Sequence, residues 1–283
     1  MILGYNTNGM AHHGPMDAIR FLADTGYQAI GITIDHGWLS PRNDDSDVQL
    51  QKIKHALQEH RLTSAIETGC RFLLDPQKKH EPTLLNPDPA QANRRIDFLK
   101  YCINVSAELG SRCVSIWSGI NPLDCSTRDS METLVRNLEP VLRHADDQNV
   151  DIGFEPEPGM LIDATGRFER LLHLIDSPRL KMTMDIGHLF CMSEVPIAEY
   201  LERWQDRIIN VHIEDMVSDR HEHLMFGEGQ IHFPPVIEAL QRIGYQDGVY
   251  VELSRHSHAA DQIVPAAFDF LNPIIEQVKQ TKP

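Results

Sequence analysis

Val150-Asp151-Ile152-Gly153-Phe154-Glu155 is followed by a helical run from Gly166 to Ile175 and then by Leu180-Lys181-Met182-Thr183-Met184-Asp185. Two short apolar runs, each closed by an acid, flank one amphipathic segment. A strand, a helix and a second strand in that order imply parallel strands joined by a crossover. The same unit recurs in both directions. Toward the amino terminus the strands read as Ile2–Tyr5, Ala29–Ile34, Leu62–Glu67 and Cys113–Trp117. Their helices run from Pro15 to Thr25, Asp47 to Glu59, Ala90 to Leu109 and Arg128 to Asp146. Toward the carboxyl terminus a helix at Pro196–Trp204 leads to a strand at Ile208–His212. A helix at Pro234–Ile243, a strand at Gly248–Glu252 and a helix at Asp261–Lys279 complete the chain. Proline in the first turn suits the start at Pro15, and Gly110 sits where a helix C-cap prefers glycine. The connection from Asp75 to Asp88 carries Pro76, Pro82 and Pro87 and reads as irregular.

Eight strand–helix units in this length predict a single-domain (β/α)8 TIM barrel over residues 1–283. An open doubly wound sheet would call for a glycine-rich phosphate turn after the first strand. Gly4, Gly9 and Gly14 are too widely spaced for one. The chain has 283 residues and a formal net charge of −15, with 41% hydrophobic and 24% charged residues. That balance suits a globular protein and argues against a broad grip on a phosphate backbone. No apolar run reaches the ~20 residues of a membrane helix, and the start lacks a basic leader. Five cysteines without a CxxC pair argue against a disulfide framework and point to a reducing cytoplasm.

A barrel carries its chemistry at the carboxyl ends of its strands. Read there, the sequence offers Glu67, Trp117, Glu155, Asp185, His212 and Glu252. A lone charge directly after Gly-Phe, Met-Thr-Met or Tyr-Val is costly to bury, and several carboxylates together repel. A divalent cation resolves both costs. Glu155, Asp185, His212 and Glu252 form an oxygen-rich set, expected to take Mn²⁺ first, with Zn²⁺, Co²⁺ or Mg²⁺ as alternatives.

Phe154-Glu155-Pro156, Met184-Asp185-Ile186-Gly187-His188, Asn210-Val211-His212-Ile213-Glu214-Asp215 and Val251-Glu252 resemble the xylose isomerase-like TIM-barrel superfamily. That group includes sugar epimerases and isomerases, inosose dehydratase-like enzymes and endonuclease IV. The resemblance puts the metal on Glu155, Asp185, His212 and Glu252 and gives His188 a substrate contact. Asp219-Arg220-His221-Glu222-His223 and Gly227-Glu228-Gly229 resemble the endonuclease IV signature instead. By that likeness His188, Asp219 and His221 form a candidate second metal site. Glu67-Thr68-Gly69 and Trp117-Ser118-Gly119 lack the histidines that the nuclease places on its earlier strands.

The expected function is therefore metal-dependent sugar or polyol isomerisation or epimerisation. Glu155 and Glu252 are the expected acid/base pair, passing a proton through an enediolate. Glu67, Trp117, His188 and Arg220 are expected to contact substrate. A lyase or endonuclease IV-like phosphodiesterase on the same barrel is the alternative, as is a metal-binding barrel without catalysis. The expected partner is a small sugar or polyol. Neither nucleic acid nor membrane is expected, and a homo-oligomer is left open. His12-His13, Asp35-His36, Trp38, Phe190, His256 and His258 are further mouth or wall candidates. Arg255 and Lys78-Lys79 are candidate phosphate contacts, and Cys191, with no base beside it, is not read as a nucleophile.

Overall fold

The computed structural model describes residues 1–280. Its elements in order are β1 (Ile2–Asn6), α1 (Pro15–Thr25), β2 (Ala29–Thr33), α2 (Ser46–His60), β3 (Thr63–Glu67), α3 (Pro89–Leu109), β4 (Val114–Ile116), α4 (Thr127–Asp147), β5 (Ile152–Phe154) and α5 (Thr165–Leu174). After them come β6 (Leu180–Asp185), α6 (Ile186–Cys191), α7 (Ile197–Trp204), β7 (Ile208–Ile213), β8 (Asp215–Val217), β9 (Arg220–Leu224), α8 (Phe233–Arg242), β10 (Gly248–Val251) and α9 (Ala260–Gln280). Eight parallel strands close in the order β1-β10-β7-β6-β5-β4-β3-β2. This is the expected (β/α)8 barrel.

Local chemistry sets the helix limits. Asp88 caps α3 by accepting from the Ala90 amide, Pro89 occupies the first turn, and Gly110 ends the helix at φ 66. Such a left-handed stop is cheap for glycine. Ser126 caps α4 by accepting from the Asp129 amide. The outer face of the barrel is apolar, and Ile30, Ile32, Ile66, Ile116, Phe154, Met182 and Val211 are buried against the helices.

Two elements depart from the strand–helix alternation. A short helix, α6, follows β6 directly, capped by Asp185, which accepts from the His188 amide at 2.7 Å. An antiparallel hairpin, β8–β9, follows β7, with Asp215 opposite Leu224 and Val217 opposite Arg220. Asp215 organises the return from that hairpin by accepting from the amides of Met216, Gly227, Gly229 and Ile231. A side chain at Gly229 would put its Cβ 2.3 Å from Asp215 Oδ1, so the Gly-Glu-Gly segment here wraps a carboxylate. Among the described residues no helix is long and apolar enough to cross a membrane.

Candidate functional site

Inward-facing side chains alternate along each strand, and they change in character along the barrel. At the amino end Ala29, Ala65, Cys113, Ile209 and Tyr250 pack together. Further along β4, β6 and β7, neutral polar groups meet. Ser115 Oγ lies 2.9 Å from Thr183 Oγ1, and Asn210 Nδ2 lies 3.4 Å from that same oxygen. At the carboxyl ends lies the charged layer of Glu67, Glu155, Asp185, His212 and Glu252. The β6–β7 register, with Asp185 opposite His212, sets two of these side by side.

His212 is the hub. Its Nδ1 lies 3.0 Å from Glu155 Oε1, 2.9 Å from Glu252 Oε2 and 3.9 Å from Asp185 Oδ2. One ligand atom from each of the four residues lies within 4.8 Å of the others. On the far side of the ring, His212 Nε2 is 2.9 Å from Glu67 Oε1. A carboxylate behind an imidazole fixes the tautomer and aims the other nitrogen. Glu67, expected at the substrate, therefore stands behind His212 as well as lining the cavity. Asn8 Nδ2 donates to Glu252 Oε1 at 2.7 Å, and Asn6 Nδ2 to Oε2 at 3.3 Å.

Electrostatics show why these residues suit a cation. Burial, opposed by His212 and reinforced by Glu252 and Asp185, pushes the Glu155 carboxyl up to about 8. Burial disfavours charge on His212 too, yet Glu67, Glu155 and Glu252 hold its pKa well above the ordinary range. Burial opposes charge on Glu252 as well, but His212, His223 and His188 keep its carboxyl well below the usual range. Asp185 Oδ2 is buried and accepts no hydrogen bond from an amide, ring N–H or alcohol. Three carboxylates crowd one imidazole here, and one carboxylate oxygen is left without a hydrogen-bond partner. Three carboxylates and one imidazole fit a divalent cation on both counts.

Above this layer opens a cavity of about 380 Å³. Trp117 and His80 form one wall, their rings edge to face with centroids 5.5 Å apart. Buried Arg95 lies over the Trp117 ring, 4.4 Å from its centre, and donates to the Thr68 carbonyl. Arg71, Lys79 and Arg255 supply the cavity's basic side chains. Arg220, expected at the substrate, does not line it. That residue is exposed, on β9, with Nε 3.4 Å from Glu222 Oε2. Asp219 is also outside. It is exposed and sits at φ 59 in the hairpin turn, away from the histidines with which it was expected to group. His188 and His221 do meet, Nε2 to Nε2 at 3.0 Å.

Sequence reasoning passed over Glu157, His80 and Arg71. Glu157 was detectable, since it lies two residues beyond Glu155 on an extended segment and so on the same face. His80 and Arg71 come from the irregular segment after β3, whose path no periodicity announces. Of the lesser candidates, His12 pairs with Ser257 at 3.1 Å, His13 stacks on Phe21, and Trp38 is buried in the core. Burial pushes the Cys191 thiol up to about 12, which leaves it a poor nucleophile.

A family model described as Xylose isomerase-like TIM barrel matches residues 19–274. The chain belongs to this family. Among curated relatives, an inosose dehydratase of Lacticaseibacillus casei is 29% identical over 143 residues, 44% of this chain and 48% of that protein. The chain thus spans about half the length of that relative. Among solved structures, a D-tagatose 3-epimerase-like protein superposes with a TM-score of 0.81 at 21% identity, over 99% of both chains. The IOLI protein with a bound zinc atom superposes with a TM-score of 0.77 at 18% identity, over 98% of this chain and 99% of that one. At such identities the superpositions establish the shared barrel of the family.

Proposed function

We propose that this chain is a divalent-metal-dependent isomerase or epimerase of a small sugar or polyol, with Glu155 and Glu252 as its proton-transfer pair. The observation that carries the reading is the convergence of two carboxylates on one imidazole. Glu155 follows β5 and Glu252 follows β10, three steps apart round the eight-stranded ring. Both nonetheless come within 3.0 Å of His212 Nδ1, on the floor of a polar cavity. A substrate seated there meets carboxylates from two sides.

Glu155, Asp185, His212 and Glu252 would hold the cation, which supplies a Lewis acid for a ketone carbonyl and its neighbouring hydroxyl. One Glu takes the proton from the carbon beside the carbonyl, leaving an enediolate. The other returns a proton, to the opposite face for epimerisation or to the adjacent carbon for isomerisation. Asn6 and Asn8 orient Glu252 through its two oxygens. Trp117 offers an apolar face to the sugar ring. Arg71, Lys79 and Arg255 take the role of basic contact expected of Arg220.

The epimerase-like neighbour and the dehydratase relative both support a polyhydroxylated carbonyl substrate. The dehydratase, at 29% identity over 143 residues, specifically favours a second reading, in which the same carbanion expels a β-hydroxyl. Incubating metal-loaded protein with ketoses and inososes in D₂O separates the two. Deuterium appearing beside the carbonyl of an otherwise unchanged or epimerised sugar is the expected result. Loss of water from an inosose would select the lyase. Cleavage of abasic-site DNA, with no exchange into any sugar, would overturn both.

A further inference from the structure

Among the described residues the largest fully buried side chain is a charged one. Arg95 is 1% exposed and stands on the buried stripe of α3 with Ala92, Leu99 and Cys102, where helical periodicity calls for an apolar residue. Its head group lies where the end of β3 meets the end of β4. Nη2 donates to the Thr68 carbonyl at 2.9 Å, and Nη1 donates to the Cys70 sulfur. The guanidinium carbon is 4.4 Å from the centre of the Trp117 ring and 5.4 Å from that of Phe98. Among the described residues no carboxylate pairs with it.

Such a placement is costly. A buried charge without a counter-ion is disfavoured, and an apolar side chain of similar volume would fill the same space at less cost. What the guanidinium adds is shape. Its planar fork donates in fixed directions along its edge, while its face stacks on aromatic rings. One group can therefore tie a carbonyl just after β3 to an indole just after β4. Neither an ammonium on a flexible stem nor a methylene chain can do both.

The groups so tied belong to the cavity wall. Thr68 and Trp117 line the cavity, as do Gly69 and Arg71 on either side of Cys70, whereas Arg95 itself does not. Cys70 at φ 39 and Phe72 at φ 57 bracket Arg71 in left-handed backbone, which is strained for residues that carry side chains. Two contacts pin that turn, the Arg95–Cys70 bond and the His80 ring, whose Nδ1 lies 2.9 Å from the Gly69 carbonyl oxygen. The Trp117 face covered by Arg95 is closed to ligands, so a sugar stacking on this ring has one face left to it.

We infer that Arg95 is a positioning residue for substrate binding, fixing the Trp117 ring and the Thr68–Arg71 turn without touching the substrate. Its effect on turnover rests on the reading of the cavity as a sugar site. Its hold on Trp117 does not.

That hold is tested first. Labelling tryptophan with ¹⁵N gives three indole signals, from Trp38, Trp117 and Trp204, and Trp117→Phe assigns the one that matters. Arg95→Lys keeps the charge but loses the fork and the stacking plane, and Arg95→Met keeps only an apolar stem. In either folded variant the Trp117 signal should shift or broaden while those of Trp38 and Trp204 stay in place. An unmoved Trp117 signal overturns the inference. So does failure of both variants to fold, read by circular dichroism, because Arg95 would then be structural. With a ketose that exchanges deuterium in wild type, KM in Arg95→Lys should rise about tenfold and kcat stay within about twofold, the pattern of binding lost equally from ground and transition states. Trp117→Leu should show the same KM with and without Arg95→Lys, since a residue acting through another is not additive with it. Additive effects, or a fall in kcat at unchanged KM, overturn the inference. If no ketose exchanges, the sugar reading fails, and the indole spectrum still decides whether Arg95 holds Trp117.

Discussion

The two ends of the barrel interior are built on the same strands with the same alternation, yet they solve opposite problems. At the amino end the Tyr250 ring fills the axis beside Ala29, Ala65, Cys113 and Ile209. There is no room there for more: a Cβ at Gly4 or Gly248 would come within 2.6 or 2.4 Å of that ring. At the carboxyl end, two residues along β10 from Tyr250, Glu252 joins two other carboxylates and a histidine below an open cavity. One end is closed by packing and the other is kept open by charge. The difference teaches that stability and chemistry are separated along the axis, as the barrel architecture favours, so changes at the two ends should have separable effects.

The sharpest way to break this division is at the carboxyl end. Glu155→Gln and Glu252→Gln keep shape and one oxygen ligand but remove the base. A general acid–base group contributes ~10²–10⁴-fold, so metal-loaded variants should lose about that much turnover with a melting temperature close to wild type. Near-wild-type turnover in both would show these carboxylates to be ligands only, with His188 the next proton carrier to examine.

Tyr250→Ala is the counterpart at the amino end. Truncating a large buried aromatic costs about 3–5 kcal/mol, read from urea unfolding, while the metal content of the surviving folded protein should not change. Metal loss in folded Tyr250→Ala would mean that the two ends are coupled.

A smaller effect is expected at the hairpin return. Asp215 accepts four backbone amides, and hydrogen bonds to a charged group are worth ~1.5–3 kcal/mol. Asp215→Asn keeps acceptor capacity on one oxygen only and should destabilise by about that amount. If Asp215→Asn is as stable as wild type, the loop is held by its apolar contacts instead.

The smallest effect concerns pH. Burial holds His80 down at about 4, against an ordinary 6.5. The unfolded chain therefore takes up this proton before the folded one does. Stability from this group is complete above pH 6.5 and falls as pH drops from there toward 4. His80→Gln should flatten that part of the stability–pH curve, measured by thermal melts at fixed metal load. An unchanged slope would show that other groups set it.

Much of the barrel and its charged layer was legible from residue order alone. Alternating short apolar runs and amphipathic segments are local patterns, fixed by the periods of strand and helix. The acids and the histidine that close the apolar runs stand out because an uncompensated charge there would be costly. Glu155, Asp185, His212 and Glu252 stand out on that ground, and the barrel brings them together.

Only the tertiary structure could decide how the neighbours of that layer are used. Glu67, expected to contact substrate, lines the cavity, and closure of the ring also brings it across to His212 Nε2. Arg220 and Asp219 carried a recognisable motif, but the turn of the β8–β9 hairpin turns them to solvent, while His221 and His223 face His188. Arg71 and His80 reach the cavity from a segment with no periodicity to read. What the sequence by itself determined is therefore the set of strands and the chemistry at their ends, because side-chain alternation and burial cost act within a few residues. What the fold decided is which loop side chains join that chemistry, because this depends on ring closure and turn conformation, which bring together residues that are distant in the chain.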